Sequence, residues 1–214
     1  MPRRAPTRAE LDRKARWIQR GSRTKADLRI IDLGDGPQVI KDFSRKPGWI
    51  RWFGRLQIAR ECAAYRRLGP AAGFPRLIGR IDGHALSLSC IEGGQLIHAP
   101  TRFSRGADYL EQIGACLDRL HAAGVFHLDL RGRHNVVLST DDRIHLLDLA
   151  GAVCLRPGGL AHRLGSPLLR AVDDAAYLKW KWILEVGEYT EKERRRVRRH
   201  RFWRSLWFPN PKRR

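Results

Sequence analysis

Acidic residues are scarce in this chain: 22 Asp and Glu stand against 42 Lys and Arg, a formal net charge of +20 over 214 residues. That deficit excludes an electrostatically neutral surface and points to polyanionic partners: phosphorylated lipid, an anionic membrane face or nucleic acid. Lysine is also scarce, because 34 of the 42 cations are Arg. Cysteine is limited to Cys62, Cys90, Cys116 and Cys154, and none forms a Cys-x-x-Cys pair. A structural zinc site is therefore not expected, and free buried thiols in a reducing compartment are. No apolar run approaches the roughly 20 residues of a membrane span. The opening Met-Pro-Arg-Arg-Ala-Pro has no apolar signal core. The expectation is a cytoplasmic protein, soluble or peripheral on the inner face of the plasma membrane. Glycine-rich phosphate loops are missing too: no Gly-x-Gly-x-x-Gly occurs.

What is present suffices for a real core, since 43% of the residues are hydrophobic. Residues 1–15 are charged and read as frayed or helical. A strand is expected over 15–20, turning at Gly21-Ser22. Two more, over 28–33 and 38–43, flank Gly34-Asp35-Gly36-Pro37, which predicts a hairpin. A helix fits 56–68, ending before Gly69-Pro70. Strands are expected over 77–81 and 85–91, and Glu92-Gly93-Gly94 reads as a linker. A second helix, 107–123, places Leu110, Ile113, Leu117 and Leu120 on one face, with Gly124 as its cap. Short strands follow over 136–138 and 144–147, then helical character over 173–186. Asp173 and Asp174 begin that last stretch, where N-terminal capping would explain them. Trp180 and Trp182 are expected in the core or at an interface between lobes. From Lys192 to Arg214 the chain has eleven basic residues and one acidic, a net of +10.

The segment Leu120-His121-Ala122-Ala123-Gly124-Val125-Phe126-His127-Leu128-Asp129-Leu130 carries the most information. Asn135-Val136-Val137-Leu138 and Leu146-Leu147-Asp148-Leu149-Ala150-Gly151 follow it. Together they resemble the catalytic and metal-binding loops of the protein-kinase-like superfamily. Upstream, Val39-Ile40-Lys41 looks like the kinase strand lysine, and Glu61 sits on the next helix. The resemblance implies an α+β fold with two lobes: a small antiparallel β N-lobe over 1–92 and a compact, mainly helical C-lobe over 93–191. A basic aromatic tail would occupy 192–214.

The resemblance also implies roles. Phosphoryl transfer needs little covalent help and much positioning of charge. Asp129 would orient the attacking hydroxyl and accept its proton. Asp148 and Asn135 would hold Mg²⁺ by hard oxygen donors. Lys41 would neutralise ATP phosphates and Glu61 would hold Lys41. Arg131 would stabilise the phosphoryl group in flight. His127 would order the loop. The resemblance also allows an aspartate on a C-lobe helix, Asp173 or Asp174, to brace the loop backbone as an alternative to capping.

Three departures stand out. Asp129 to Asn135 is six positions, against about five in most kinases, so Asn135 and His134 are both candidates for the second metal ligand. The metal motif reads Asp-Leu-Ala. The phosphate loop falls to Gly21-Ser22-Arg23-Thr24-Lys25, with Gly21 and Ser22 offering main-chain amides; a plain surface turn fits those residues equally.

Only about 65 residues follow Asp148, which suits a small-molecule, lipid-sugar or RIO-type kinase. The run with Trp49, Trp52, Gly54-Arg55, Arg60-Glu61 and Tyr65-Arg66-Arg67-Leu68 looks like the lipopolysaccharide core kinases, which act on Kdo or heptose at the inner membrane. The resemblance then implies a glycolipid or sugar acceptor. A RIO-like protein serine/threonine kinase and a catalytically weak pseudokinase scaffold are the alternatives. In the tail, Trp203 and Trp207 among arginines would suit an anionic membrane surface, a docked terminal helix or RNA.

Overall fold

Gly34 and Gly36, both in the left-handed region with φ of 97° and 101°, turn the chain between two strands. These are β2 (Asp27–Asp32) and β3 (Pro37–Asp42), paired antiparallel from Asp27↔Asp42 to Asp32↔Pro37. The computed structural model describes residues 3–188 with Glu191 and Arg194. Before the hairpin, α1 (Arg8–Lys14) starts at a capping box of Thr7 and Glu10, and β1 (Arg16–Gln19) pairs with β2. After it come α2 (Gly48–Leu68), β4 (Leu77–Arg80) and β5 (Ala85–Ser89), giving a five-stranded antiparallel sheet in the order β1-β2-β3-β5-β4.

Period-two alternation divides the faces of this sheet. Ile31, Ile40 and Ala85 pack with Leu11 of α1 in a small core. Leu86 and Leu88 belong to the larger core with Ile50, Ile58 and Tyr65 of α2. Lys41 follows Ile40 and pairs across the strands with Leu86, so it lies on the α2 face.

The second half has β6 (Gly93–Gln95), α3 (Gly106–Ala122) and β7 (Val125–Phe126). Then follow β8 (Val136–Ser139), β9 (Ile144–Leu146), β10 (Val153–Cys154) and α4 (Leu160–Ile183). β6, β8 and β9 form one small sheet and β7 pairs with β10. The large core continues from α2 and β5 through α3 to Trp180 of α4. The fold is α+β, with antiparallel sheets and four helices among the described residues, an arrangement compatible with a small two-lobed fold.

Several expectations are corrected. Helix α2 begins at Gly48, eight residues before 56, and α4 begins at Leu160, well before 173. Asp173 is therefore mid-helix and fully buried, so capping does not explain it. Gly93 and Gly94 are not a linker but lie in β6, where a Cβ on Gly93 would strike the Leu138 carbonyl. Trp180 is buried, whereas Trp182 is 65% exposed and outside the core. All four cysteines are free, and burial pushes the Cys116 thiol up to about 11. The expected tail, 192–214, lies outside the described residues apart from Arg194. Among the described residues no helix is long and apolar enough to cross a membrane.

Candidate active site

Three elements meet at one ammonium group. Lys41 Nζ on β3 donates to Glu61 Oε1 at 2.7 Å and to Asp148 Oδ1 at 2.8 Å. Glu61 is buried on the inner face of α2, and α2 packs against the 3-10 turn Leu149–Gly151 that follows Asp148. One cation shared by two carboxylates sets the charges. Burial lowers the Lys41 pKa, but Glu61 and Asp148 together outweigh it and raise the lysine above its usual value. Burial, with the Asp148 charge adding to it, raises Glu61. Asp148 is more exposed; burial opposes its charge, but Lys41 prevails and holds it below the usual aspartate range.

The second cluster is Asp129 with Asn135. Asn135 is buried, and its Nδ2 donates to the Asp129 carbonyl at 2.8 Å and to Asp129 Oδ2 at 3.2 Å. His134 is exposed beside it in the turn Arg133–Asn135. Of these two neighbours, Asn135 is the one that meets Asp129.

Histidine links the clusters. His127 is fully buried. The Asp129 amide donates to its Nδ1 at 3.4 Å, and its Nε2 lies 3.0 Å from the Leu147 carbonyl. That pairing is satisfied by the Nε2–H tautomer, which is a structural role. The Leu147 amide in turn donates to the Asn135 carbonyl at 2.9 Å. Asp129, Asn135 and the residue before Asp148 therefore belong to one hydrogen-bonded unit.

Two residues of this unit have unusual backbones: Leu128 at φ 64° and Asp148 at φ 66°. Left-handed non-glycine residues cost about 1–3 kcal/mol each and persist where surroundings hold them. The holder of Leu128 is Asp173, whose Oδ1 accepts its amide at 2.8 Å while Oδ2 accepts the His127 amide at 3.0 Å. His121 Nε2 lies 3.0 Å from the same Oδ2. Two more groups on α4 secure the loop: Trp180 Nε1 donates to the Leu130 carbonyl at 3.0 Å and Lys179 Nζ to the Arg131 carbonyl at 2.7 Å. Sequence reasoning left Asp173 and Asp174 together between capping and bracing, gave Trp180 only a place in the core or at an interface, and missed Lys179. The i, i+6 and i, i+7 spacing of Asp173, Lys179 and Trp180 on a helix was a usable signal, but only once α4 was known to start at Leu160.

Arg131 lies in the loop half-buried, and with Arg133 it presses on Lys179: burial first, then these two charges, hold that lysine below its usual pKa. Arg133 is exposed and lines a groove of about 850 Å³ with Arg102, Phe103, Trp182 and Glu185.

The turn at Gly21 and Ser22 spends its groups locally. The Gly21 amide donates to Asp27 Oδ1 at 2.9 Å, and Lys46 Nζ donates to the Gly21 carbonyl at 3.0 Å and the Ser22 carbonyl at 3.3 Å. A Cβ at Gly21 would lie 2.2 Å from the Ala26 carbonyl oxygen, so close approach requires the glycine. The contacts found for this turn go to Asp27 and Lys46, not to the Lys41 cluster.

Among the described residues no group of three or more His, Cys, Asp or Glu could hold a metal. Asp148 and Asn135 instead offer one carboxylate and one amide oxygen. Asp148 Oδ1 accepts from Lys41 and from the Ala150 amide, leaving Oδ2. Asn135 spends its nitrogen on Asp129, leaving Oδ1. Two such oxygens suit Mg²⁺, which takes few protein ligands and completes its shell with phosphates and water.

No protein-family model matches the chain, and no curated protein matches it.

Proposed function

We propose that the chain has a reduced protein-kinase-like fold and is an ATP-dependent phosphotransferase. Its acceptor is a sugar hydroxyl of lipopolysaccharide core or a related lipid-linked glycan. The observation that carries this reading is Lys41 Nζ, held at 2.7 and 2.8 Å between Glu61 and Asp148. A strand lysine paired to a helix glutamate, beside an aspartate that opens a turn, is an arrangement suited to nucleotide phosphates.

Each side chain then has a task. Lys41 neutralises the phosphates that are not transferred. Asp148 Oδ2 and Asn135 Oδ1 would hold Mg²⁺, which when bound draws charge from the phosphate oxygens. Asp129, oriented by the Asn135 amide, aligns the acceptor hydroxyl and takes its proton. Arg131 lies two residues on, to balance charge on the group in flight. The groove at Arg133 takes the acceptor: its guanidinium faces an anionic substituent and the exposed Trp182 gives a sugar ring a flat apolar surface.

A catalytically weak scaffold is favoured by one observation, the Gly21 amide spent on Asp27 rather than offered to a phosphate. Transfer of labelled γ-phosphate separates the readings, with lipopolysaccharide core extract and a generic protein offered in parallel. Label in the glycolipid, lost in Asp129→Ala, is expected. Label in protein alone would indicate a RIO-like protein kinase, and no label from folded protein a scaffold.

A further inference from the structure

Helix α2 is apolar on two opposite sides. Ile50, Ile58, Cys62 and Tyr65 form its buried stripe, with Glu61 among them. At 3.6 residues per turn, Trp49, Trp52, Phe53 and Leu56 fall at i, i+3, i+4 and i+7 on the other side. They are exposed by 62%, 58%, 54% and 47%. The rings of Trp52 and Phe53 meet edge to face with centroids 5.0 Å apart, so the patch is preformed. Single exposed hydrophobics need no explanation; four on one stripe mark an interaction site.

Charge identifies what covers it. Between Asp42 and Glu61 the chain has no acidic residue and five cations: Arg45, Lys46, Arg51, Arg55 and Arg60. Arg45 pairs with Asp12, Lys46 with Asp27, and Arg60 donates to the Ala152 carbonyl. Arg51 and Arg55 are exposed and have no ion pair among the described residues. The first turn of α2 carries no acid, and Pro47 supplies no side-chain cap. The positive end of the helix dipole is therefore uncompensated beside the aromatic stripe. Indoles next to unpaired guanidiniums and a bare positive helix end complement the interface of an anionic bilayer, rings at the acyl boundary and cations at phosphates. An apolar protein surface would cover the rings and strand both arginines.

We infer that the outer face of α2 docks on the headgroup region of an anionic bilayer. Its docking needs no phosphotransfer, so it stands or falls apart from the function proposed above. Because Glu61 projects from the inner side of the same helix, docking would hold the Lys41 cluster close to a lipid-linked acceptor.

The test uses the full chain and sedimentation with vesicles of phosphatidylglycerol and phosphatidylcholine, against phosphatidylcholine alone. Binding is expected only with the anionic lipid. Arg51→Gln with Arg55→Gln should weaken it by roughly 30-fold, from about 1 kcal/mol per cation near the surface. Trp49→Ser with Trp52→Ser should weaken it by roughly tenfold or more. These positions face outward, so an unchanged thermal midpoint shows that both variants fold. Brominated phosphatidylglycerol should quench tryptophan emission in the wild type, and less in Trp49→Phe with Trp52→Phe. Partition and quenching unchanged in these variants would overturn the proposal. So would a wild-type dimer that the Trp→Ser pair renders monomeric while vesicle binding persists, which would make the face a protein interface.

Discussion

Asp173 holds Leu128 in a left-handed backbone: its Oδ1 accepts the Leu128 amide at 2.8 Å, one residue before Asp129. The carboxylate is fully buried and also meets the His127 amide and His121 Nε2. The position of Asp129 is thus set from α4. Removing a buried charged acceptor strands two amides, so Asp173→Ala should lower stability by roughly 3 kcal/mol or more. Urea denaturation measures this. Asp173→Asn keeps one acceptor oxygen and should lose less. In both, turnover should fall more than nucleotide affinity, because Asp173 bonds to the loop at His127 and Leu128, next to Asp129, and makes no bond to Lys41 or Glu61.

Asp129 and Asp148 should separate by kinetics. Asp129→Ala should leave Mg-ATP affinity nearly unchanged and lower kcat by about 10²–10⁴, the range for a positioned base. Asp148→Ala should remove the Mg²⁺ dependence of nucleotide binding. Comparable loss of affinity in both variants would show that the roles are not divided in this way.

Glu61 predicts a pH signature. Its folded pKa is raised, chiefly by burial. Its contribution to stability is therefore complete below the ordinary carboxylate value and is lost as pH rises through the folded value. Asp148, lowered by Lys41, behaves oppositely: its contribution is present above the ordinary aspartate value and is lost as pH falls through the depressed one. Glu61→Gln should consequently gain on the wild type in denaturation midpoint as pH rises from about 4.5. A difference independent of pH would contradict the raised value.

Arg133 is an exposed cation that lines the groove and belongs to the loop turn that ends at Asn135. Arg133→Ala should raise KM for an anionic glycolipid by roughly tenfold, the worth of one charge-assisted contact. The KM for ATP and the kcat should stay close to wild type. A uniform fall in kcat instead would place Arg133 in the transfer step.

Local turn chemistry made the first half readable. Gly34-Asp35-Gly36-Pro37 marked the β2–β3 hairpin, and Gly69-Pro70 marked the end of α2. The start of α2 was hidden for a physical reason: Trp49, Trp52 and Phe53 continue the helix on its outer side, out of phase with the buried Ile58 and Tyr65. The same holds for α4, whose opening Leu160, Leu164 and Leu168 are exposed. Periodicity detects a helix by its single buried stripe and loses the turns where apolar residues face outward. Chain order brought out the candidate residues Lys41, Glu61, Asp129, Asn135 and Asp148. What joins them was not legible: hydrogen bonds from His127 to Leu147 and from the Leu128 amide to Asp173 span 20 and 45 positions.

The central claim is that Lys41, Glu61 and Asp148 form a site for nucleotide phosphates. The most direct test is calorimetric titration of the full chain with ATP, with and without Mg²⁺, for the wild type, Lys41→Met and Asp148→Ala. The account predicts saturable, Mg²⁺-dependent binding by the wild type, weakened in Lys41→Met and stripped of its Mg²⁺ dependence in Asp148→Ala. Absence of binding by folded wild type, or equal affinity in all three, would contradict it.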